Sequence, residues 1–145
     1  MRVRDWMSPD PVTVSPSTSV REARQLMRYY GVRHLPVVER ERVVGMLSDR
    51  DVRIDDSALD MIAAASAEIG EVAGEQREVQ LVMSAPVHVI GPSEAVEAAA
   101  RAMLSWRVSA LPVVDGEGTL LGLITTTDCL LASLNPTADF VTEND

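Results

Sequence analysis

Lysine is absent from this chain of 145 residues, and cysteine and aromatic residues are scarce. All 13 basic residues are arginines, set against 22 Asp and Glu, so the formal net charge is −9. A chain this acidic is not expected to bind nucleic acid in general or anionic membrane surfaces. The single cysteine, Cys129, excludes an intrachain disulfide and fits a reducing compartment. No apolar run approaches the roughly 18 residues of a spanning helix, and the N-terminus lacks a signal-peptide core, so we expect a cytoplasmic protein.

The charge is unevenly distributed along the chain. Residues 1–53 hold 10 Arg against 7 Asp and Glu, whereas the remainder holds 3 Arg against 15 acidic residues. The first part could therefore supply cations to an anionic ligand. A solvated, ion-paired surface explains most of these arginines equally well.

An internal repeat dominates the sequence. The matched pairs are Leu35–Val38 with Leu111–Val114, Val20 with Val96, Met27 with Met103, Gly45 with Gly122, and Asp51 with Asp128. The spacing is 76 residues before the turn that follows Val38 and 77 after it. Matching Val14 with Val89 makes Gly91 an extra residue in the second copy. Length changes confined to loops are typical of a structural duplication.

Each copy predicts the order β-α-β-β-α. The expected elements are extended segments at 12–14 and 87–89, turns with helix N-caps at Pro16-Ser17 and Pro92-Ser93, helices with buried stripes, hairpins, and second helices over 57–69 and 127–134. The buried stripes comprise Val20, Ala23, Met27 and Tyr30 in the first copy, and Val96, Ala99, Met103 and Trp106 in the second.

One copy alone is too small for a comfortable core. We therefore expect an α/β (α+β) fold of two such units, packed sheet to sheet about a pseudo-twofold axis. The predicted boundaries are 1–69 for repeat 1, 70–79 for a linker, 80–134 for repeat 2 and 135–145 for a polar tail.

A hydroxyl and a carboxylate follow the second hairpin strand in both copies. Ser48 precedes Asp51, and Thr125 precedes Asp128, by three residues. A helix N-terminus at this point offers unpaired N–H groups and a positive dipole end. A carboxylate there can accept from ribose hydroxyls, while the hydroxyl and the N–H groups can hold a phosphate. The alternative is that these residues only cap the helices.

The ordered set of motifs resembles the CBS domain family. The residues that carry this resemblance are Gly45–Asp51 and Gly122–Asp128, the Leu-Pro-Val-Val segments, and Met7-Ser8-Pro9 and Met83-Ser84-Ala85-Pro86. The resemblance covers residues 1–134 and is closest to a stand-alone CBS pair, or Bateman module. It implies an adenosine pocket shared between the copies.

The resemblance also implies particular site residues. Thr125 and Asp128 would face Val12, Thr13, Val32, Arg33 and His34; Ser48 and Asp51 would face Val87, His88, Val108, Ser109 and Ala110; Thr127 and Arg50 lie within the two turns. Because Arg33 and His34 can meet a phosphate, the Asp128 pocket is favoured for a phosphorylated ligand.

The resemblance implies a non-catalytic sensor of AMP, ADP or ATP that forms a homodimer through its helices. No residues support an enzyme, a metal site or a required cofactor. The alternatives are a ligand-independent interaction or dimerisation module that docks on a partner protein, and a sensor of S-adenosylmethionine, NAD or Mg²⁺.

Overall fold

A computed structural model describes residues 1–53 and 76–135 of the chain. These residues form an α/β fold with one three-stranded and one two-stranded sheet. The elements are α1 (Val3–Trp6), β1 (Ser8–Pro9), α2 (Val20–Tyr30), β2 (His34–Glu39), β3 (Arg42–Ser48), a 3₁₀ turn (Val79–Leu81), α3 (Val96–Trp106), β4 (Ala110–Val114), β5 (Leu120–Thr125) and α4 (Thr126–Ser133). The predicted helix over 57–69 and the tail beyond residue 135 lie outside the described residues.

The chain divides into two compact units that interleave along the sequence. The repeat-1 unit comprises Val12–Glu39 and Val44–Ala85, and the repeat-2 unit comprises Met1–Pro11, Arg40–Val43 and Pro86–Asp145. The lead-in of the first copy, with α1 and β1, therefore belongs to the repeat-2 unit. The 3₁₀ turn that precedes the second copy belongs to the repeat-1 unit. The boundaries predicted above delimit sequence repeats and stay a prediction.

The repeat-1 unit is built on the β2–β3 hairpin, with α2 packed against β2. Val14 lies parallel to Val37: its N–H donates to the Pro36 carbonyl at 3.1 Å, and its carbonyl accepts from Val38 at 2.8 Å. Helix α2 ends at Gly31, whose φ of 65° is the left-handed conformation that glycine adopts without strain. The core consists of Val14, Val20, Ala23, Met27, Leu35, Val37, Leu47, Val52 and Val79.

The repeat-2 unit contains the sheet β1-β5-β4, in which all three strands are antiparallel to their neighbours. Ile90 lies parallel to Val113, as Val14 does to Val37 in the other unit. Helices α3 and α4 pack against each other. The core consists of Val3, Ile90, Ala99, Met103, Leu111, Val113 and Ile124.

A methionine of the lead-in covers the hairpin glycine in each unit. A Cβ on Gly122 would lie 2.6 Å from the Met7 sulfur and 2.8 Å from the Ser8 carbonyl oxygen, and a Cβ on Gly45 would overlap the Met83 sulfur. Another chain segment approaches the strand closely at both glycines. The backbone oxygen of Ser8 makes glycine necessary at Gly122, whereas at Gly45 only the flexible Met83 side chain would have to move.

Two details of the helix predictions are wrong. Helix α2 begins after Ser19, whose hydroxyl accepts from the Glu22 N–H at 3.1 Å, and α3 begins after Ala95, which makes no side-chain cap. The caps therefore lie two residues beyond Ser17 and Ser93, which form turns instead. The fourth members of the two stripes, Tyr30 and Trp106, are 53% and 54% exposed, because the last turn of each helix extends past the core.

The assignment of Gly91 as an extra residue is also wrong. Ile90, rather than Val89, occupies the place of Val14, because each donates its N–H to the proline carbonyl of the adjacent strand. The spacing is thus 76 residues on both sides of this segment. The second hairpin loop is the longer of the two, as predicted: two residues join β2 and β3, and five join β4 and β5.

Candidate functional site

Thr125 and Asp128 close the first turn of α4 with reciprocal hydrogen bonds. The Thr125 N–H donates to Asp128 Oδ2 at 2.9 Å, and the Asp128 N–H donates to Thr125 Oγ1 at 3.2 Å. The Thr125 hydroxyl also lies 3.1 Å from Asp128 Oδ2 and donates to it. Both side chains are half-buried. This capping box places a carboxylate in the first turn of α4, where the helix dipole favours negative charge.

Ser48 and Asp51 form the same arrangement in the repeat-1 unit. The Ser48 N–H donates to Asp51 Oδ2 at 2.8 Å, and the Asp51 N–H donates to Ser48 Oγ at 3.3 Å. We call the segments Ser48–Asp51 and Thr125–Asp128 the signature turns. In both, Oδ2 of the aspartate accepts the backbone N–H of the first residue.

The helix-capping role foreseen from the sequence is therefore confirmed for Thr125 and Asp128, and Ser48 and Asp51 make the same hydrogen bonds within a turn. Both arrangements leave capacity for a ligand. An ionised carboxylate offers about four lone-pair sites on its two oxygens. The hydrogen bonds given above for Asp51 and Asp128 all engage Oδ2. The capping bond fixes the orientation of the carboxylate, so that Oδ1 can accept from a diol such as ribose.

The residue before the first hairpin strand adjoins the signature turn of its own unit. The Asp49 N–H donates to the Arg33 carbonyl at 2.8 Å, and the Thr126 N–H donates to the Ser109 carbonyl at 3.0 Å. Ala110 lies directly opposite Thr125 in the β4–β5 ladder. Arg33 and Ser109 thus occupy equivalent backbone positions next to the two turns.

The two turns differ in the charge of these neighbours. Arg33 is exposed, and the adjacent His34 is half-buried. Burial lowers the pKa of His34; the charge of Asp49 opposes this, Arg33 lowers the pKa further, and Asp51 raises it. Ser109 and the buried Ala110 place no ionisable group at the corresponding positions. Next to Asp128, burial raises the pKa of the Cys129 thiol, and the Asp128 charge raises it further.

The remaining predicted site residues fall into the two units by sequence. In the repeat-1 unit, Val12 and Val32 pack against the core, while Thr13 and Arg50 are exposed. In the repeat-2 unit, Val108 packs against the core, Val87 is half-buried and Thr127 is exposed on α4. The His88 ring stacks on Trp106 with centroids 3.8 Å apart. That each pocket draws on both repeats stays a prediction.

Sequence reasoning missed Arg24, which contacts the end of the first signature turn. Its Nε and Nη2 both donate to the Val52 carbonyl, at 3.0 and 2.9 Å. The available signal was an arginine beside the buried Ala23, at a position where the second copy has Ala100.

Within residues 1–53 and 76–135, no three His, Cys, Asp or Glu side chains cluster as a metal site would require. No helix in this part of the chain has the length and apolar character needed to cross a bilayer.

Comparison with known proteins identifies both repeats. The family model for the CBS domain matches residues 3–54 and 77–135. The crystal structure of CBSX2 in complex with AMP superimposes with a TM-score of 0.73 at 31% identity, covering 94% of this chain and 98% of that chain.

Two curated relatives show how the module is used elsewhere. The chain is 31% identical over 122 residues to the CBS domain-containing protein YhcV of Bacillus subtilis, covering 84% of this chain and 78% of that protein. It is 32% identical over 137 residues to inosine-5′-monophosphate dehydrogenase of Korarchaeum cryptofilum, covering 94% of this chain but 25% of the enzyme. The chain thus spans about a quarter of that enzyme's length.

Proposed function

This chain belongs to the CBS domain family, and we propose that it is a regulatory module that binds an adenosine nucleotide, with AMP as the first candidate, at its signature turns. The observation that carries the proposal is the matched pair of turns. In each, a hydroxyl and a carboxylate are fixed by reciprocal hydrogen bonds. Such preorganised acceptors suit a ribose diol, and CBSX2, which shares 31% identity, is a protein solved with AMP.

We place the phosphate of the ligand at the Ser48–Asp51 turn. The support is the position of Arg33, whose backbone carbonyl accepts from Asp49 inside that turn. A guanidinium can donate two parallel hydrogen bonds to the oxygens of a phosphate. This differs from the sequence-based assignment of Arg33 to the Asp128 pocket.

A thermal-melting screen tests the proposal as a whole. A ligand at 100 times its Kd stabilises a protein by about 2.7 kcal/mol, which raises the Tm by several degrees. We expect AMP to raise the Tm of the chain, and the double variant Asp51→Ala/Asp128→Ala to abolish the shift. If AMP, ADP, ATP, S-adenosylmethionine and NAD at millimolar concentration all leave the Tm unchanged, the proposal is contradicted.

Replacement of Arg33 tests where the phosphate binds. Arg33→Ala should weaken AMP about tenfold or more and leave adenosine unchanged, because only AMP carries the phosphate that the guanidinium contacts. In an Asp51→Ala background the same substitution should have no further effect. If Arg33→Ala still weakens AMP in the Asp51→Ala background, the phosphate lies with the Asp128 turn instead. Arg28→Ala, exposed on α2, is the matched control.

A second candidate function is association through the helices of the repeat-2 unit. Leu104 on α3 is 81% exposed, Leu130 on α4 is 63% exposed, and Leu134 directly after α4 is 77% exposed. Exposed leucines on helices that pack together favour a protein contact, and a homodimer is the simplest occupant.

Analytical ultracentrifugation tests the homodimer. The native chain should sediment as a dimer, and Leu104→Glu/Leu130→Glu should convert it to a folded monomer that keeps its response to AMP. A native chain that is monomeric at 100 µM or so, well above the Kd of a stable dimer, would contradict homodimer formation.

A further inference from the structure

We infer that Arg24 is a positioning residue for the first signature turn, a role that rests on the function proposed above. Its guanidinium donates from both Nε and Nη2 to one oxygen, the Val52 carbonyl, at 3.0 and 2.9 Å. Val52 directly follows Asp51, and its side chain is buried at 3% exposure. The contact therefore fixes the backbone on the far side of the carboxylate that would bind the ligand.

Arg24 is itself held on a rigid element. It lies on α2 between Ala23 and Met27, both of which are buried in the core of the repeat-1 unit. The helix is capped by Ser19 at one end and closed by Gly31 at the other. A hydrogen bond from a charged donor on such a helix restricts the turn more than a mobile surface side chain would.

The second signature turn is supported in another way. Thr125 is the N-cap of α4, and Thr126–Asp128 are the first three of its eight residues, so the hydrogen bonds of the helix hold the backbone after Asp128. In the first copy, residues 49–52 form a turn instead. The second copy has Ala100 at the position of Arg24, and an alanine side chain has no donor for the same contact.

The consequence is that α2 controls one site and not the other. Without Arg24, the Val52 carbonyl loses a charge-assisted partner, and the Ser48–Asp51 turn becomes free to open. The ribose-binding orientation of the Asp51 carboxylate is then populated for a smaller fraction of the time. The apparent affinity of this turn falls by that same fraction.

The test compares Arg24→Gln and Arg24→Lys with the control Arg28→Gln, an exposed arginine on the same helix. The first readout is amide hydrogen exchange in the ligand-free chain, which does not depend on the proposed function. Arg24→Gln should speed exchange of the Ser48 amide about tenfold, as expected from losing a hydrogen bond to a charged group. Exchange of the Thr125 amide should stay unchanged, and Arg24→Lys should restore part of the protection at Ser48.

The second readout is AMP binding by calorimetry at each turn separately. In an Asp128→Ala background, Arg24→Gln should weaken AMP about tenfold, whereas in an Asp51→Ala background it should have no effect. Unchanged exchange at Ser48, or equal effects at both turns, would overturn the positioning role. If the native chain binds no AMP, the proposed function fails, while the exchange data still decide the role of Arg24.

Discussion

The two signature turns share a backbone and differ in what surrounds it. In both, a hydroxyl residue and an aspartate exchange hydrogen bonds. The residue that follows the hydroxyl residue donates its N–H to the carbonyl of the residue that precedes the first hairpin strand. The first turn has Arg33 and His34 as neighbours and is clamped by Arg24. The second has Ser109 and Ala110 as neighbours and is held by α4. The duplication thus preserved the geometry that orients a carboxylate, while charge and support diverged around it.

The largest expected effect concerns the two hairpin glycines. Gly122→Ala should cost about 3 kcal/mol, because its Cβ would meet the backbone oxygen of Ser8 as well as Met7. Gly45→Ala should cost about 1 kcal/mol, because only the flexible Met83 side chain has to move. Urea denaturation of both variants measures the difference. Equal losses of stability would contradict this difference, because they would show that the two lead-ins move aside at the same cost in free energy.

Removing the aspartates should have a smaller effect on stability. Asp128→Ala should cost about 1 to 2 kcal/mol, because it removes a capping carboxylate and a favourable charge at the N-terminus of α4. Asp51→Ala should cost less, because Arg24 still clamps its turn. The free energies of unfolding of the two variants, measured without ligand, test this order. A greater loss of stability in Asp51→Ala than in Asp128→Ala would contradict the view that Asp128 stabilises α4.

The C-terminal ends of α2 and α3 allow opposite substitutions, from glycine to alanine at the first and from arginine to glycine at the second. Gly31 and Arg107 occupy equivalent positions and both have positive φ, 65° and 56°. Gly31→Ala should cost about 1 kcal/mol through conformation alone, since nothing lies within 4 Å of the added Cβ. Arg107→Gly should stabilise by up to about 1 kcal/mol by relieving the same strain. Thermal melting that shifts both variants in the same direction would refute this.

The smallest expected effect is a pH dependence confined to the repeat-1 unit. Burial lowers the pKa of His34 below its ordinary value. As the pH falls, the His34 imidazole therefore takes up a proton at a higher pH in the unfolded chain than in the folded chain. His34 therefore favours the folded state above pH 6.5 or so, and this advantage is lost as the pH falls through the lower, folded-state pKa. In His34→Gln, the free energy of unfolding should fall less between pH 7.5 and pH 5 than in the native chain. Identical slopes in urea titrations would remove His34 as a cause.

Much of the architecture follows from local sequence patterns. The spacing of Val20, Ala23 and Met27 places α2, and the apolar runs around Leu35 and Leu111 place the hairpins, because periodicity reports which face is buried. The hydroxyl and carboxylate of each turn follow from their three-residue separation, which matches a capping box.

Other features depend on contacts between distant segments and were beyond prediction. Met7 precedes the first copy in the sequence, yet it packs on Gly122 of the second copy. Local sequence patterns do not encode which strand a short lead-in segment contacts. From the sequence alone, Arg24 cannot be distinguished from a solvated surface arginine, because only the fold brings its guanidinium to the Val52 carbonyl. The position of the first helix cap was missed because Ser17 and Ser19 have equal capping propensity and the burial of Val20 decides between them.

Calorimetric titration of AMP into the native chain, Asp51→Ala, Asp128→Ala and the double variant Asp51→Ala/Asp128→Ala tests the central claim most directly. We predict that each single variant loses only the binding carried by its own turn. AMP should bind more tightly to Asp128→Ala than to Asp51→Ala, because Asp128→Ala keeps Arg33 and Asp51 together. Full-strength AMP binding by the double variant would contradict the role of the signature turns.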